Sequence, residues 1–276
     1  MSKTTSERRT PLSLDELATV LGFIKAGPVV GLDPEAISNA DTDRGLERLR
    51  NNGWMTRDGN GWKLDHSLAI AAAAIAAPSR VLILTINSRR DGQPDRTVAF
   101  YNAGLYVAEL HRIEAGFIFN LSADSSGPQR RVARLIGSAL DQTLSSHEQV
   151  DLPSDGVNQA MEAESQEGRQ EAFRTLFENA NVEASDRWAS ALRPGSRRAA
   201  IHAVGLLGPK QVIRKDLYCF GSPAVVIVGE ERAGTDVVVA DYSPETLDAL
   251  VGLMWNEVGA HYAHFGKRPR DTSGVL

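Results

Sequence analysis

The chain has 276 residues, of which 42% are hydrophobic and 24% are charged, and its formal net charge is −5 at pH 7. This composition is typical of a soluble globular protein, and the acidic balance excludes a protein-wide positive field that would attract nucleic acid. A single cysteine, Cys219, excludes an intramolecular disulfide and favours a cytoplasmic location. We expect neither a signal peptide nor a membrane span, because the most apolar run, Leu68–Ala77, is about half the length of a span.

Three short helices are predicted at the start of the chain. Apolar residues recur at helical spacing between Leu12 and Gly27, where Ser13 is the expected N-cap and Glu16 completes a capping box. Two further helices are predicted at Asp33–Ala40 and at Thr42–Gly53.

A β-hairpin with its turn at Asp58–Gly61 follows, and the whole order is typical of a winged-helix domain. Trp54 and Trp62 flank the turn, and we interpret them as anchors that hold the hairpin to the body. An alternative function is therefore a winged-helix DNA-binding transcriptional regulator with a sensing domain. Nine cationic and nine acidic residues give residues 1–64 no net charge, which makes this alternative the runner-up. Its expected DNA contacts are Arg44, Arg48, Arg50, Arg57 and Lys63.

A helix–sheet–helix module is predicted next. The alanine-rich run Leu68–Ala77 is expected to form a core helix, and Pro78 ends it. Four strand-like runs between Val81 and Ala123 predict an antiparallel meander, and Pro128 opens the helix after it. The polar stretch 141–168 is interpreted as a linker that is either partly helical or mobile.

The second half of the chain predicts the same order. Two helices between Arg169 and Ser196 precede four strand-like runs between Ala199 and Ser243, and a long amphipathic helix extends from Ser243 to Phe265. Cys219 lies in the second of these runs, where we expect a small buried apolar residue.

The prolines that punctuate the two halves keep one spacing. Pro78 and Pro194 are 116 residues apart, and so are Pro128 and Pro244. This regularity predicts an internal repeat and hence a quasi-two-fold α+β fold, with antiparallel β-meander sheets flanked by helices. The hairpin Met55–His66 then becomes a 12-residue insertion in the first copy. The expected organisation is a first repeat at 12–140, a linker at 141–168, a second repeat at 169–265, and disordered tails at 1–11 and 266–276.

Sequence motifs for catalysis are missing, so we expect a protein that is not an enzyme and that uses no cofactor or metal. The chain has no nucleophile elbow and no glycine-rich phosphate loop. Asp95 and Glu109 lack the lysine that a nuclease-type carboxylate pair needs, and His261 and His264 lack further ligands.

Surfaces for a protein partner remain. The longest hairpin loop of the first sheet, Ile86–Thr97, carries charges of both signs, and the last helix carries large apolar side chains. The candidate partner-binding residues are Arg89, Arg90, Asp91, Asp95, Arg96, Leu253, Met254 and Trp255.

Four motifs together resemble the EspG family of chaperones of type VII (ESX) secretion systems: LxLDEL at Leu12–Leu17, LRNNGW at Leu49–Trp54, DGNGWKLD at Asp58–Asp65 and AAPSR at Ala76–Arg80. The resemblance covers about residues 12–262 and departs from the family pattern at Asp216–Ile227. It implies a cytosolic, non-enzymatic chaperone that binds the helical tip of a PE–PPE heterodimer and keeps this client soluble. It also implies a partner surface formed by the sheet, its loops and the C-terminal helices.

Overall fold

The computed structural model describes residues 11–59, 61–87, 96–123, 127–139, 148–163, 165–183, 185–191, 198–208, 211–220, 225–232, 235–240 and 244–265. The expected tails, apart from Pro11, lie outside these residues. The chain divides into two compact units. The N-terminal unit comprises Met1–Pro78 and Arg96–Ser125, and the C-terminal unit comprises Ser79–Asp95 and Ser126–Leu276.

Helices and strands follow the predicted order, with one additional strand and one additional helix between residues 148 and 162. In chain order they are α1 (Leu14–Phe23), α2 (Pro34–Ser38), α3 (Thr42–Asn51), β1 (Met55–Asp58), β2 (Gly61–Leu64), α4 (His66–Ala76), β3 (Arg80–Asn87), β4 (Arg96–Ala103), β5 (Tyr106–Ile113), β6 (Gly116–Ser122), α5 (Gly127–Ala139), β7 (Glu148–Pro153), α6 (Ser154–Glu162), α7 (Gln166–Asn179), α8 (Ser185–Ala191), β8 (Arg198–Gly208), β9 (Gln211–Phe220), β10 (Val225–Arg232), β11 (Thr235–Ala240) and α9 (Pro244–Phe265).

The predicted capping box at the start of α1 is confirmed. The backbone N–H of Glu16 donates to Ser13 Oγ over 3.3 Å, and the Ser13 N–H donates to Glu16 Oε2 over 2.8 Å. The buried Glu16 carboxylate also accepts a hydrogen bond from Asn52 Nδ2 at the end of α3, over 2.9 Å. One carboxylate therefore caps α1 and ties it to α3.

Close packing of α1 on α3 depends on a glycine. A Cβ atom at Gly45 would lie 2.2 Å from both the Asp15 carbonyl oxygen and Thr19 Oγ1, so any side chain at this position would push the helices apart. Thr19 Oγ1 donates to the Asp15 carbonyl and also lies 3.0 Å from the Thr42 carbonyl.

The sheet of the N-terminal unit has the strand order β6-β5-β4 and is antiparallel throughout. Helix α4 packs on all three strands with Leu68, Ala72 and Ile75 buried, which confirms the predicted core helix. Tyr101 is fully buried in β4, and its hydroxyl donates to the Val30 carbonyl over 2.7 Å.

The sheet of the C-terminal unit has the order β3-β8-β9-β10-β11-β7, and its pairings are antiparallel. Side chains alternate between faces, and α9 packs on one face of β3, β8 and β9. Cys219 is buried as expected. The buried face carries Leu82, Leu84, Ala199, Ile201, Ala203, Leu217 and Cys219.

Part of the stretch interpreted as a linker is folded. Within 141–168, β7 pairs with β11 and α6 packs against β7, β11 and α7. The polar composition concealed a small core in which Leu152 of β7 and Val157 of α6 are buried with Phe177 and Trp188, whose ring centroids lie 5.3 Å apart. Few apolar residues suffice because they are buried in one cluster with residues of α7 and α8.

The interpretation of both hairpin tryptophans as anchors holds only in part for Trp62, whose side chain is 39% exposed but whose ring lies 4.0 Å from the Arg50 guanidinium carbon of α3. The hairpin is also held by Met55 and Leu64, which are paired across the strands and are 3% and 6% exposed. Along the described part of the chain, we find no helix with the length and hydropathy of a membrane span.

Candidate partner-binding surfaces

Helix α9 is fixed to the sheet of the C-terminal unit through Arg80 and Trp255. The Arg80 guanidinium lies 4.0 Å from the centre of the Trp255 ring and donates to the Trp255 carbonyl over 2.7 Å. Burial lowers the pKa of Arg80, but an arginine remains protonated at neutral pH. The cation therefore stays available to hold the helix by its ring and its backbone at once.

Small residues bring α9 close to the strands. A Cβ atom at Gly205 of β8 would lie 2.7 Å from the Val258 carbonyl oxygen, and one at Gly259 would lie 2.5 Å from the Arg80 guanidinium. Lys215 of β9 adds an ion pair with Glu257 at 3.6 Å. These contacts set the rotation of α9 and determine which of its side chains face outward.

The predicted apolar site on α9 is divided by this rotation. Leu253 is 61% exposed, whereas Met254 and Trp255 are 5% and 1% exposed and belong to the core. Of these three candidate residues, Leu253 alone is accessible to a partner in the free protein.

Polar and charged side chains surround Leu253. Over rather more than two helical turns, α9 exposes Ala249, Leu253, Asn256 and Glu257, which we name the α9 outer face. Helix α5 packs beside α9, with the Gln129 side chain 3.7 Å from the position of a Cβ atom at Gly252. This surface combines an apolar centre with a polar rim, as protein interfaces do.

The charged hairpin is described only at its end. Arg96 is the exposed first residue of β4 in the N-terminal unit. The other four candidates, Arg89, Arg90, Asp91 and Asp95, lie outside the described residues, so their contribution to partner binding stays a prediction.

A second surface was not predicted from the sequence. On the face of the C-terminal sheet opposite α9, Ile83, His202 and Asp216 form one row across three strands and are all partly exposed. His202 Nδ1 lies 2.6 Å from Asp216 Oδ1, and the His202 ring meets that of Tyr218 edge to face. The only sequence signal would have been that these residues share one side of the strand alternation.

A similar pair lies in the N-terminal unit, where His111 and Glu109 of β5 are in hydrogen-bond contact on one face of the strand. Neither histidine joins a cluster of three or more metal-ligating side chains within the described residues. The arrangement is that of a hydrogen-bonded imidazole on a sheet, so we assign no catalytic role to either pair.

Together these features define a mixed helical and antiparallel β protein whose accessible surfaces suit contact with another protein. Its fold is similar to that of the type VII secretion system chaperone EspG5 from Mycobacterium tuberculosis, whose structure is known in complex with the PE25–PPE41 dimer. The two structures agree with a TM-score of 0.66 over 88% of this chain and 94% of that chain, at 13% sequence identity. No family model and no curated protein matches the sequence.

The resemblance predicted from the four sequence motifs is thus confirmed at the level of the fold. At 13% identity, few contacts of EspG5 transfer residue by residue. The assignment of a partner to this chain therefore rests on its own surfaces.

Proposed function

We propose that this protein is a cytoplasmic, non-enzymatic chaperone of a type VII secretion system, which binds a helical PE–PPE-like heterodimer and keeps it soluble. The observation that carries this proposal is the match to EspG5 over nearly the whole length of both chains. A fold can host several functions, so the proposal requires a surface of the right chemistry as well.

The α9 outer face meets that requirement. Exposed Leu253 offers an apolar contact for the end of a client helix, and the contacts of Arg80 with Trp255 hold the helix that carries it. A rigid apolar centre costs little conformational entropy on binding. The charged hairpin that ends at Arg96 would then select the client by its charge pattern.

Co-expression tests this function directly. A PE–PPE pair from the source organism is produced in a heterologous host with and without this protein, and the soluble client is quantified after centrifugation. We expect the client to be soluble only in the presence of this protein and to elute with it in size-exclusion chromatography. The proposal is contradicted if, for every PE–PPE pair of the genome, the client stays insoluble or elutes separately from this protein.

The alternative function as a DNA-binding regulator is not favoured. Asp41 at the N-cap of the proposed recognition helix α3, and Asp43 and Glu47 within it, are exposed, and their carboxylates repel the phosphate backbone. Arg44, one of the expected DNA contacts, lies 3.9 Å from Asp15.

We also propose that the two halves of the chain are copies of one module. The orders α4-β3-β4-β5-β6-α5 and α8-β8-β9-β10-β11-α9 correspond, and β3 pairs with its proposed equivalent β8. Leu84 pairs directly with Ile201, and paired residues share a face. If equivalent residues of the two copies also share a face, their sequence numbers must differ by an odd number, as those of Leu84 and Ile201 do. We therefore propose that the spacing in the strands is one residue longer than the 116 between the prolines, a spacing that also matches Tyr101 with Tyr218. An alignment of related sequences in which the strands of the two copies align at a spacing of 116 residues would contradict this proposal.

A further inference from the structure

The hairpin β1-β2 presents a surface that the chaperone proposal does not use. Its strands pair Met55 with Leu64 and Arg57 with Trp62, so these four side chains lie on one face. Met55 and Leu64 at its base are buried, whereas Arg57 and Trp62 toward the turn are exposed. The face therefore has an anchored base and an accessible outer end.

Helix α3 holds the exposed ring in place. The guanidinium carbon of Arg50, at the end of α3, lies 4.0 Å from the centre of the Trp62 ring. Trp62 thus has an arginine stacked on one side and Arg57 as its cross-strand neighbour. We name Arg50, Arg57 and Trp62 the Arg–Trp patch.

Both cations of this patch are available to a partner. Arg50 and Arg57 are exposed, and neither forms an ion pair with any residue that the structure describes. Arg44, one turn and a half earlier on α3, contrasts with them because Asp15 lies near its guanidinium. Tryptophan and arginine are also the residues that most often dominate the energy of protein interfaces.

We propose that the Arg–Trp patch is a second protein-docking site, which binds a short acidic segment with an apolar side chain between its carboxylates. The carboxylates pair with the guanidinium groups of Arg50 and Arg57, and the apolar side chain packs on the Trp62 ring. The pre-ordered ring reduces the entropic cost of binding a flexible segment.

Charge favours an acidic protein segment over a nucleic acid. The exposed acids Asp41, Asp43 and Glu47 lie at the N-cap and in the earlier turns of α3, so a long phosphate backbone that leaves the patch along this helix meets repulsion. A short segment needs only the two arginines and the ring. The patch shares no residue with the α9 outer face.

The experiment uses the full chain labelled with ¹⁵N and follows the indole N–H signal of Trp62. The chain has four tryptophans, and the signal is assigned by its absence in Trp62→Phe. The probes are an acidic peptide with a leucine pair flanked by glutamates, the same peptide with glutamine in place of glutamate, and an oligothymidylate of equal charge.

We expect only the acidic peptide to shift the Trp62 signal at moderate salt. Arg57→Ala should raise its Kd about five-fold or more, as the loss of one exposed charge contact predicts. Arg44→Ala is the matched control and should change the Kd less than about two-fold. Both arginines are exposed, and retention of the other indole signals shows that each variant is folded.

Three results overturn the proposal. The first is a Trp62 signal that none of the probes shifts, and the second is equal binding of the glutamine peptide. The third is a shift by oligothymidylate without a shift by the acidic peptide, which would assign the patch to nucleic acid instead. None of these outcomes bears on the solubility of a client in the co-expression experiment.

Discussion

The side chain of Arg80 in β3 holds the Trp255 residue of α9 both by its ring and by its carbonyl oxygen, at 4.0 and 2.7 Å. The two residues are 175 positions apart in the chain. Their contact joins the first strand of the C-terminal unit to the helix that carries the candidate client surface, so the position of Leu253 depends on it.

Arg80→Ala should lower the free energy of unfolding by about 3 kcal/mol, because it removes a charge-assisted hydrogen bond and a stacked cation. Arg80→Lys is the control and should lose about half as much, since an ammonium group cannot stack and donate in the same geometry. Urea denaturation monitored by tryptophan fluorescence measures both values. Equal stability of the wild type and Arg80→Ala would show that the contact is energetically neutral.

Glu16→Ala should destabilise the N-terminal unit by about 2 to 3 kcal/mol. The change leaves the N–H of Ser13 and the side chain of Asn52 without their shared acceptor. Glu16→Gln retains acceptor oxygen and should lose about 1 kcal/mol, and the exposed Glu47→Ala should change stability by less than about 0.5 kcal/mol. Differential scanning calorimetry of the three variants gives this ranking, and a ranking with Glu47→Ala as the most damaging change contradicts it.

The capping box shows why parts of this fold could be predicted from the sequence. Ser13 and Glu16 satisfy their bonds within one turn, so the signal is local, and the strands of both meanders likewise follow from alternation and turn residues. Strand β7 was missed because its partner β11 lies more than 80 residues away, and only that pairing makes Leu152 a core residue.

The candidate surfaces were only partly predicted, because the exposure of a side chain also depends on contacts that are distant in the sequence. Helical spacing on α9 identifies a large apolar stripe, but it does not distinguish exposed Leu253 from buried Trp255. That distinction depends on how Gly205 and Arg80 set the rotation of the helix. The exposure of Trp62 likewise required knowledge of its contact with Arg50 on another element.

Stability should decrease at alkaline pH because of Tyr101. Burial raises the pKa of its phenol well above the ordinary value near 10. Above that value the unfolded chain releases the phenolic proton while the folded chain retains it, so the free energy of unfolding falls as pH rises. The contribution of Tyr101 is constant below pH of about 10.

Tyr101→Phe supplies the control for this pH dependence. It should cost about 1 kcal/mol at neutral pH, since the Val30 carbonyl loses its donor, and it should flatten the decline above pH of about 10. Urea denaturation at a series of alkaline pH values measures the two slopes. Identical slopes in the wild type and Tyr101→Phe would contradict the assignment to this residue.

Client binding should depend on Leu253 in a way that global stability does not. Leu253→Asp places a charge at the apolar centre of the α9 outer face and should weaken binding of a PE–PPE-like client at least ten-fold, or by about 1.4 kcal/mol. The side chain is 61% exposed, so the free energy of unfolding should change by less than about 0.5 kcal/mol. Leu105→Asp is the matched control, because Leu105 is 80% exposed in the N-terminal unit and lies outside the candidate surfaces. Isothermal titration calorimetry with the client identified by co-expression compares the two variants, and equal weakening by both would remove the α9 outer face from the proposal.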